Sequence, residues 1–255
     1  MVTEREAIER ARRAAADWVA ALGPQRVQAV WLYGSVARGE YVPGVSDVNL
    51  LVLWDRVAPE DLARWAPRLR AWLREGGTLP RLFGAEEWAR AVDVFPLEHL
   101  EIHAAHVVLH GPPPPPPRVD PEALRLELER EWATKRLQLR LHLATVADRS
   151  EALGHLLRRA APTLAALLRG LLHLVDPAAV PRTAEDTFAR AAERFGFDTT
   201  PLVAVWRRRA EARWRPTPDD PVIRGVLALL DRATELVDRG LAPTTDASSP
   251  ENAEP

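Results

Sequence analysis

The chain has 255 residues, a length that predicts two compact domains, or one domain with a helical extension. Its 34 Lys and Arg residues nearly balance 36 Asp and Glu residues, so the basic character of a general nucleic-acid binder is missing and a nucleic-acid partner is not favoured. The absence of cysteine excludes disulfides, thiolate catalysis and cysteine-ligated zinc. The charged N-terminus and the lack of a long apolar run predict a cytoplasmic protein with no membrane partner.

The first part of the chain predicts helices around a small sheet. Thr3 and Glu6 have the spacing of a capping box, and Gly23 provides the stop of an amphipathic first helix. The apolar runs VQAVWLY and VNLLVLW predict two strands that are covered on both faces. A helical pattern follows at about 59–75, and AVDVF, residues 91–95, is the candidate for a third strand.

A proline run divides the chain. Residues 112–117 are six successive prolines, which cannot join a helix interior or a central strand and therefore predict a stiff extended spacer. Helical periodicity recurs at about 120–147, 151–175 (where Pro162 is expected to kink or split the helix), 184–195, 200–213 and 219–239. We predict a first domain at 1–110, a proline-rich linker at 111–121, a helical domain at 122–240 and a disordered tail at 241–255.

The stretch LYGSVARGEYVPGVSDVNLLV carries the most specific pattern in the chain. Gly34 and Ser35 follow the first predicted strand, and Asp47 stands twelve positions beyond Ser35 (47 − 35) at the head of the next strand. This combination resembles the GS…DxD signature of the nucleotidyltransferase superfamily related to DNA polymerase β, and it is most similar to the minimal bacterial branch. The resemblance covers roughly residues 27–110. It implies an α+β nucleotidyltransferase-like domain with a small mixed sheet, followed by an all-α helical domain.

The resemblance implies that the turn binds nucleotide. In that superfamily the Gly-Ser turn opens a helix whose backbone N–H groups and serine hydroxyl hold the terminal phosphates. Gly34 and Ser35 match these two positions. Arg38, one turn into the implied helix, is expected to assist the phosphates or to form a surface ion pair with Glu40. Without the resemblance, the same residues would describe a tight turn between strands, with Asp47 capping the loop.

A metal site is implied beside this turn. Asp47 and Asn49 are two residues apart, so their side chains share one face of the strand. Asp93 in AVDVF is the candidate for a third acid from a neighbouring strand. In the superfamily, acids so placed hold two Mg²⁺ ions that neutralise the triphosphate and clamp the leaving pyrophosphate. The resemblance thus implies Asp47 and Asp93 as catalytic residues, and Asp47, Asn49 and Asp93 as ligands of Mg²⁺ with ATP or another NTP as substrate.

Asn49 departs from this pattern. An amide oxygen can ligate Mg²⁺ but brings no charge, and the exchange costs on the order of a few kcal/mol of ion affinity at an effective dielectric constant near 20. Two functions therefore stay open. The leading one is transfer of a nucleoside monophosphate, AMP by default, from an NTP to a hydroxyl acceptor. The alternative is a catalytically impaired, nucleotide-binding or regulatory protein of antitoxin-like type.

An aminoglycoside-resistance enzyme is the more specific enzymatic alternative, and the acceptor is expected in a cleft between the two domains. Its general base would be one of four glutamates, among which the sequence does not choose: Glu98, Glu101, Glu127 and Glu131. Glu131 is also expected to pair with Lys135 four residues along a helix. The oligomeric state is left open.

Two further patterns favour structural roles. His99, His103, His106 and His110 have helical spacing, but VVLHG predicts a strand that breaks the stripe, so we expect ordinary partly buried histidines and assign no metal to them. The segment Trp206–Arg215 interleaves arginines with tryptophans, which can bind phosphate and stack bases. The favoured interpretation is a solvated helix face whose tryptophans turn to the core.

Overall fold

The structure is a computed structural model that describes residues 2–241, so the predicted tail beyond residue 241 lies outside the described residues. Its first part contains, in chain order, α1 (Glu4–Leu22), β1 (Val27–Tyr33), β2 (Asn49–Trp54), α2 (Pro59–Arg74), β3 (Arg81–Gly84), α3 (Ala85–Arg90), α4 (Pro96–Ala104) and β4 (His106–His110). The predicted capping box is confirmed, because the Thr3 hydroxyl accepts from the Glu6 N–H while the Glu6 carboxylate accepts from the Thr3 N–H.

The strands form one mixed sheet. Its order is β3-β2-β1-β4, with β1 antiparallel to β2 and β4, and β2 parallel to β3. The two apolar runs of the sequence are the central strands β1 and β2, where burial on both faces favours continuous apolar residues. A small mixed sheet followed by helices is the fold class that the sequence predicted, and it is confirmed.

The two faces of the sheet are covered differently. On one face α1 and α2 pack through tryptophans, with Trp18 and Trp65 at 5.2 Å between ring centroids and Trp54 and Trp65 at 5.3 Å. Edge-to-face packing of this kind suits rings that meet at steep angles. The other face carries a smaller apolar cluster that includes Trp31 and Ile102. This second face leaves the start of β2 open towards the helical part.

The predicted third strand is wrong. Residues 91–95 form turns in which the N–H groups of Val94 and Phe95 both donate to the Ala91 carbonyl, at 3.1 and 2.9 Å. Pro96 then starts α4. The N–H groups of Val94 and Phe95 are therefore used in local turns and are not available to pair with a strand. The strand next to β2 is instead β3, from the segment RLFG.

The second part of the chain is helical. It contains α5 (Pro121–Val146), α6 (Ser150–Val175), a short 3-10 helix (Pro177–Ala179), α7 (Ala184–Phe195), α8 (Thr200–Arg207) and α9 (Pro221–Asp238). The expected split at Pro162 is wrong, since α6 runs through it, whereas a kink there stays a prediction. Buried leucines on both sides, such as Leu157 and Leu168, outweigh the lost hydrogen bond. Helix α8 is shorter than predicted and ends before Arg208.

The two parts are packed together. Leu97 of α4 belongs to the same apolar core as Leu128 of α5 and Leu168 of α6. Residues 112–120 between them form no helix or strand, although the domain boundary there stays a prediction. Within residues 2–241 no helix is both long and apolar enough to cross a membrane.

Gly111 allows the chain to leave β4 close to β1. Its φ is +74°, and a Cβ there would lie 2.1 Å from the carbonyl oxygen of Gln28. Because a backbone oxygen cannot move aside as a flexible side chain does, we expect Gly111→Ala to lower the free energy of unfolding by about 2 to 4 kcal/mol. Urea denaturation would measure this loss. Gly39→Ala, which has a similar φ and no atom within 4 Å, is the matched control and should lose less; equal losses would contradict the close-approach explanation.

Candidate functional site

A cavity of about 520 Å³ lies between one end of the sheet, where β1 ends and β2 and β3 begin, and the helical part. The sheet side is lined by Gly34, Ser35, Asp47 and Asn49, and the helical side by residues of α5 and α6. The structure therefore brings the Gly-Ser turn together with two of the three residues that were expected to bind metal.

The turn itself differs from the expectation. Residues 34–39 form successive turns and no helix, and both Gly34 and Gly39 have positive φ, +80° and +74°. A second glycine five residues after the first ends the helical geometry before it can propagate. At Gly34 a Cβ would lie 3.0 Å from the side-chain nitrogen of Asn49, so the Asn49 amide stands directly against the turn.

Asp47 is bound by an arginine that the sequence did not single out. Its Oδ2 accepts from Nη2 of Arg159 in α6 at 2.9 Å, and both side chains are about half exposed, at 43% and 46%. Asp47 and Arg159 both line the cavity. The contact spans 112 residues of sequence, which is why no local pattern could indicate it.

Asp93 does not join this group. It lies exposed in the turns between α3 and α4 and is absent from the cavity wall. The strand beside β2 instead begins with Arg81, which pairs with Leu51, two residues beyond Asn49, and so faces the same side of the sheet. Nε of Arg81 donates to the Tyr33 hydroxyl at 3.1 Å. Where the third acid was expected, the neighbouring strand presents a cation.

The residues present do not fit a site for two divalent cations. Asp47 is the only carboxylate of the expected set that faces the cavity, Asn49 is neutral, and Arg81 and Arg159 place positive charge beside them. Within residues 2–241 no group of three or more His, Cys, Asp or Glu side chains is arranged to hold a metal ion. Hard cations such as Mg²⁺ prefer several charged oxygen ligands. Glutamates also line the cavity, but Glu98, Glu101 and Glu131 are paired with cationic side chains instead.

Arg38 lies on the cavity wall, and its role in phosphate binding stays a prediction. Its guanidinium donates to Glu101 Oε2 at 3.0 Å and to the Arg182 carbonyl at 2.9 Å, and the predicted pair with Glu40 is wrong. Arg169 of α6 holds the same carboxylate through two hydrogen bonds, at 2.8 and 2.7 Å. We name Arg38, Glu101 and Arg169 the buried triad. It joins the turn to α4 and α6 and lies on the cavity wall.

The buried triad carries a net positive charge. Burial alone would raise the pKa of Glu101, but Arg169 and Arg38 outweigh burial and lower it, so the carboxylate is ionised between two guanidinium groups. Nη1 of Arg169 is buried without a hydrogen-bond partner among the described residues. An unpaired buried guanidinium nitrogen beside a cavity is a place where an anionic ligand gains hydrogen bonds.

Glu127 separates itself from the other three candidate bases. Glu101 is held by the buried triad, Glu98 pairs with Arg81, and Glu131 pairs with Lys135 at 3.8 Å, as predicted. Glu127 is 7% exposed, and its Oε2 accepts from the Leu97 N–H at 2.7 Å. Burial raises its pKa to about 7, with a further contribution from neighbouring glutamates. A carboxyl group with this pKa on a cavity wall is suited to general acid–base chemistry.

The raised pKa of Glu127 has a consequence for stability. A carboxyl group whose pKa rises on folding stabilises the fold fully below its unfolded pKa of 4.5, and this contribution is lost as pH rises through about 7. Glu127→Gln should therefore gain stability relative to wild type across this interval, by about 1 to 3 kcal/mol. Thermal melts from pH 4 to 8 would measure the difference; Glu129→Gln on the same helix should follow the wild-type pH dependence, and a constant offset for Glu127→Gln would contradict the assignment.

The arginine and tryptophan segment anchors the loop before Asp47. Arg209 is 2% exposed, its guanidinium lies 4.0 Å from the centroid of the Trp206 ring, and its Nη2 donates to Ser46 Oγ at 3.1 Å. Ser46 in turn accepts from the Val42 N–H at 2.9 Å. The predicted solvated helix face is wrong for Arg209, which is buried in a turn after α8.

The histidine stripe breaks at Ala105, as predicted, because α4 ends at Ala104 and β4 begins at His106. His99 stacks on Trp88 at 3.7 Å between ring centroids, and burial lowers its pKa to about 4. His106 and His110 each hydrogen-bond a backbone carbonyl at 3.0 Å. These contacts are those of structural histidines.

Comparisons with known proteins agree with the fold. Over 90% of the chain, the fold is similar to that of spectinomycin adenyltransferase AAD(9) from Enterococcus faecialis, crystallised with ATP and spectinomycin. The TM-score is 0.53, the identity is 11%, and 98% of that protein is covered, so the likeness concerns the fold. The search of curated proteins finds no match. Residues 13–150, more than half of the chain, match the profile of the nucleotidyltransferase domain, and the chain therefore belongs to this family.

Proposed function

We propose that the chain binds a nucleoside triphosphate in the cavity and transfers its nucleoside monophosphate, AMP by default, to a hydroxyl acceptor. The observation that carries this proposal is that two functional groups face each other across one cavity. The Gly34-Ser35 turn stands on one wall, and Glu127, with a pKa raised by burial to about 7, stands on the other. A turn that can bind phosphates and a general base on the facing wall are two of the groups that transfer to a hydroxyl uses.

The chemistry balances with these groups. Glu127 takes the proton of the acceptor hydroxyl while the hydroxyl oxygen attacks the α-phosphorus. The bond from the α-phosphorus to the oxygen that bridges it to the β-phosphorus breaks, and pyrophosphate leaves. The reaction needs the acceptor between Glu127 and the nucleotide, and a cavity of about 520 Å³ is within the range of small-molecule sites. Contacts that position both reactants supply much of the rate enhancement in such transfers.

The acceptor belongs to the same proposal. AAD(9), which shares this fold, was crystallised with ATP and the antibiotic spectinomycin. This supports a nucleotide and a small hydroxyl-bearing acceptor that bind side by side in the cavity. The more specific form of the proposal is that the acceptor is an aminoglycoside-type antibiotic.

A second candidate function is nucleotide binding without turnover, in the service of regulation. The observation that favours it is the replacement of two expected acids, by Asn49 at the start of β2 and by Arg81 at the start of β3. Such a wall can still bind phosphates through N–H donors. Turnover of nucleotide is the property that distinguishes the two functions.

The test is calorimetric titration with ATP, followed by pyrophosphate release over a panel of hydroxyl-bearing acceptors that includes spectinomycin. Binding with acceptor-dependent release supports transfer. Binding without release from any acceptor supports the regulatory function, and absence of nucleotide binding in every buffer, with and without Mg²⁺, contradicts both. Gly34→Ala is the informative variant, since its Cβ would crowd the Asn49 amide at 3.0 Å and distort the turn that receives the phosphates. It should weaken ATP binding, whereas Gly44→Ala, also at positive φ but with no atom within 4 Å, serves as its control.

A further inference from the structure

Resting on the proposed function, we propose that the cavity binds the triphosphate through arginine side chains and the Asn49 amide, and that this binding requires no divalent cation. The arginines are Arg81 and Arg159, backed by the net charge of the buried triad. Each of these groups stands on the wall that also carries the Gly34-Ser35 turn or faces it. The inference concerns how the nucleotide is held, whereas the proposed function concerns what happens to it.

The first support is the sheet face itself. Asn49 and Arg81 lie on the same side of two adjacent parallel strands, and both line the cavity. A carboxylate at either position would repel phosphate unless a metal ion lay between them. An amide and a guanidinium instead donate hydrogen bonds to phosphate oxygens directly. Arg81 binds Tyr33 through Nε and Glu98 through Nη2, so Nη1 is the nitrogen that we assign to the phosphate. Asn49 and Arg81, which stand where acids were expected, therefore both make the wall more favourable for phosphate.

The second support is the position of Arg159. Among the described residues its guanidinium donates to Asp47 alone, through Nη2, so the rest of its planar group of donors is available to a ligand. A guanidinium can bind two phosphate oxygens in parallel, which an ammonium group cannot match. Asp47 then holds Arg159 in place beside the turn. A divalent cation at Asp47 would have to displace the Arg159 guanidinium and would still be repelled by its nearby charge. The cation and the arginine therefore compete for one carboxylate.

The third support is the buried triad. Two guanidinium groups share the single Glu101 carboxylate, and Arg169 has a buried nitrogen with no partner among residues 2–241. Burial lowers the pKa of Arg38 against the opposing effect of Glu101, but a guanidinium keeps its charge at any physiological pH. The excess positive charge of the buried triad lies on the cavity wall, where it attracts a bound anion.

The experiment is isothermal titration of the full chain with ATP, once in excess EDTA and once in excess Mg²⁺. We expect the dissociation constant in EDTA to lie within about threefold of the value in Mg²⁺. Arg159→Gln should weaken ATP binding in EDTA by about tenfold or more, because a charge-assisted pair with phosphate is lost. Arg140→Gln is the matched control: Arg140 is likewise half exposed and bound to one aspartate, Asp231, at 2.6 Å, but it lies outside the cavity, and binding should be unchanged.

Asn49→Asp provides a second, independent arm. The new carboxylate repels phosphate in EDTA, so ATP binding should weaken by about tenfold there and recover when Mg²⁺ is added. The wild type should show no such recovery. Asp and Asn have nearly the same volume, so we expect the fold, and with it the circular dichroism spectrum, to be unaltered.

The outcomes separate the two proposals. Wild-type binding that appears only with Mg²⁺ overturns this inference and leaves the proposed function standing. Absence of ATP binding in both buffers overturns both. Metal-independent binding that survives Arg159→Gln and Asn49→Asp unchanged also overturns the inference, because the nucleotide is then held by other groups.

Discussion

Replacement of Glu101 by glutamine is expected to lower the free energy of unfolding by about 3 kcal/mol, the low end of the cost of breaking a buried ion pair, because the carboxylate is still 18% exposed. The change keeps the shape of the side chain but leaves Arg38 and Arg169 facing each other without a counter-charge. Their side chains are 3% and 6% exposed, so water cannot replace the lost carboxylate.

Urea denaturation at neutral pH measures this loss. Glu122→Gln is the control, since Glu122 pairs with Arg125 on the exposed face of α5, and its loss should not be measurable. The pH dependence gives a second readout. The pKa of Glu101 is lowered on folding, so its contribution is complete above the unfolded value of 4.5 and disappears as the pH falls. The difference between wild type and Glu101→Gln should therefore shrink in acid; a difference that is constant from neutral pH to below 4 would contradict the ionic account.

The parts of the site that follow from local chemistry could be predicted from the sequence. The glycine turn, the two central strands and the spacing of Asp47 and Asn49 depend on residues close together in the chain. The pattern Gly34, Ser35, Asp47 therefore indicated the family, which is confirmed, and these three residues line one cavity. Helix α5 was predicted for the same reason, because Asp120 and Pro121 form a cap and a first turn without help from distant residues.

The partners across the cavity could not be predicted. Arg159 meets Asp47 over 112 residues, Arg169 meets Glu101 over 68, and neither pair has a sequence signature. Asp93 was wrong for a related reason: the choice of strand beside β2 is decided by packing against β2, and a short apolar run has no local feature that settles it. The segment RLFG gave no clear signal either, since Phe83 is its only residue with a strong preference for strands.

Glu127 offers the largest expected effect on turnover. If it removes the proton from the acceptor hydroxyl, Glu127→Gln should lower kcat by about 10² to 10⁴, the range found for loss of a general base. Binding of ATP should change little, because the Gly34-Ser35 turn on the opposite wall is untouched. Glutamine also keeps an oxygen for the Leu97 N–H, so the hydrogen bond of 2.7 Å that fixes α4 to α5 can persist.

The pH profile of kcat separates a catalytic role for Glu127 from a structural one. The ionised form is the base, so the wild-type rate should rise with pH and level off above about 7, the pKa to which burial raises this group. Glu98 contributes to that raised pKa, so Glu98→Gln should move the rise to lower pH while leaving the plateau defined by Glu127. Glu127→Gln should lose the rise altogether. If Glu127→Gln keeps the wild-type pH profile with a lower kcat throughout, Glu127 acts through packing. If Glu98→Gln leaves the rise in kcat at the wild-type pH, a group other than Glu127 causes that rise.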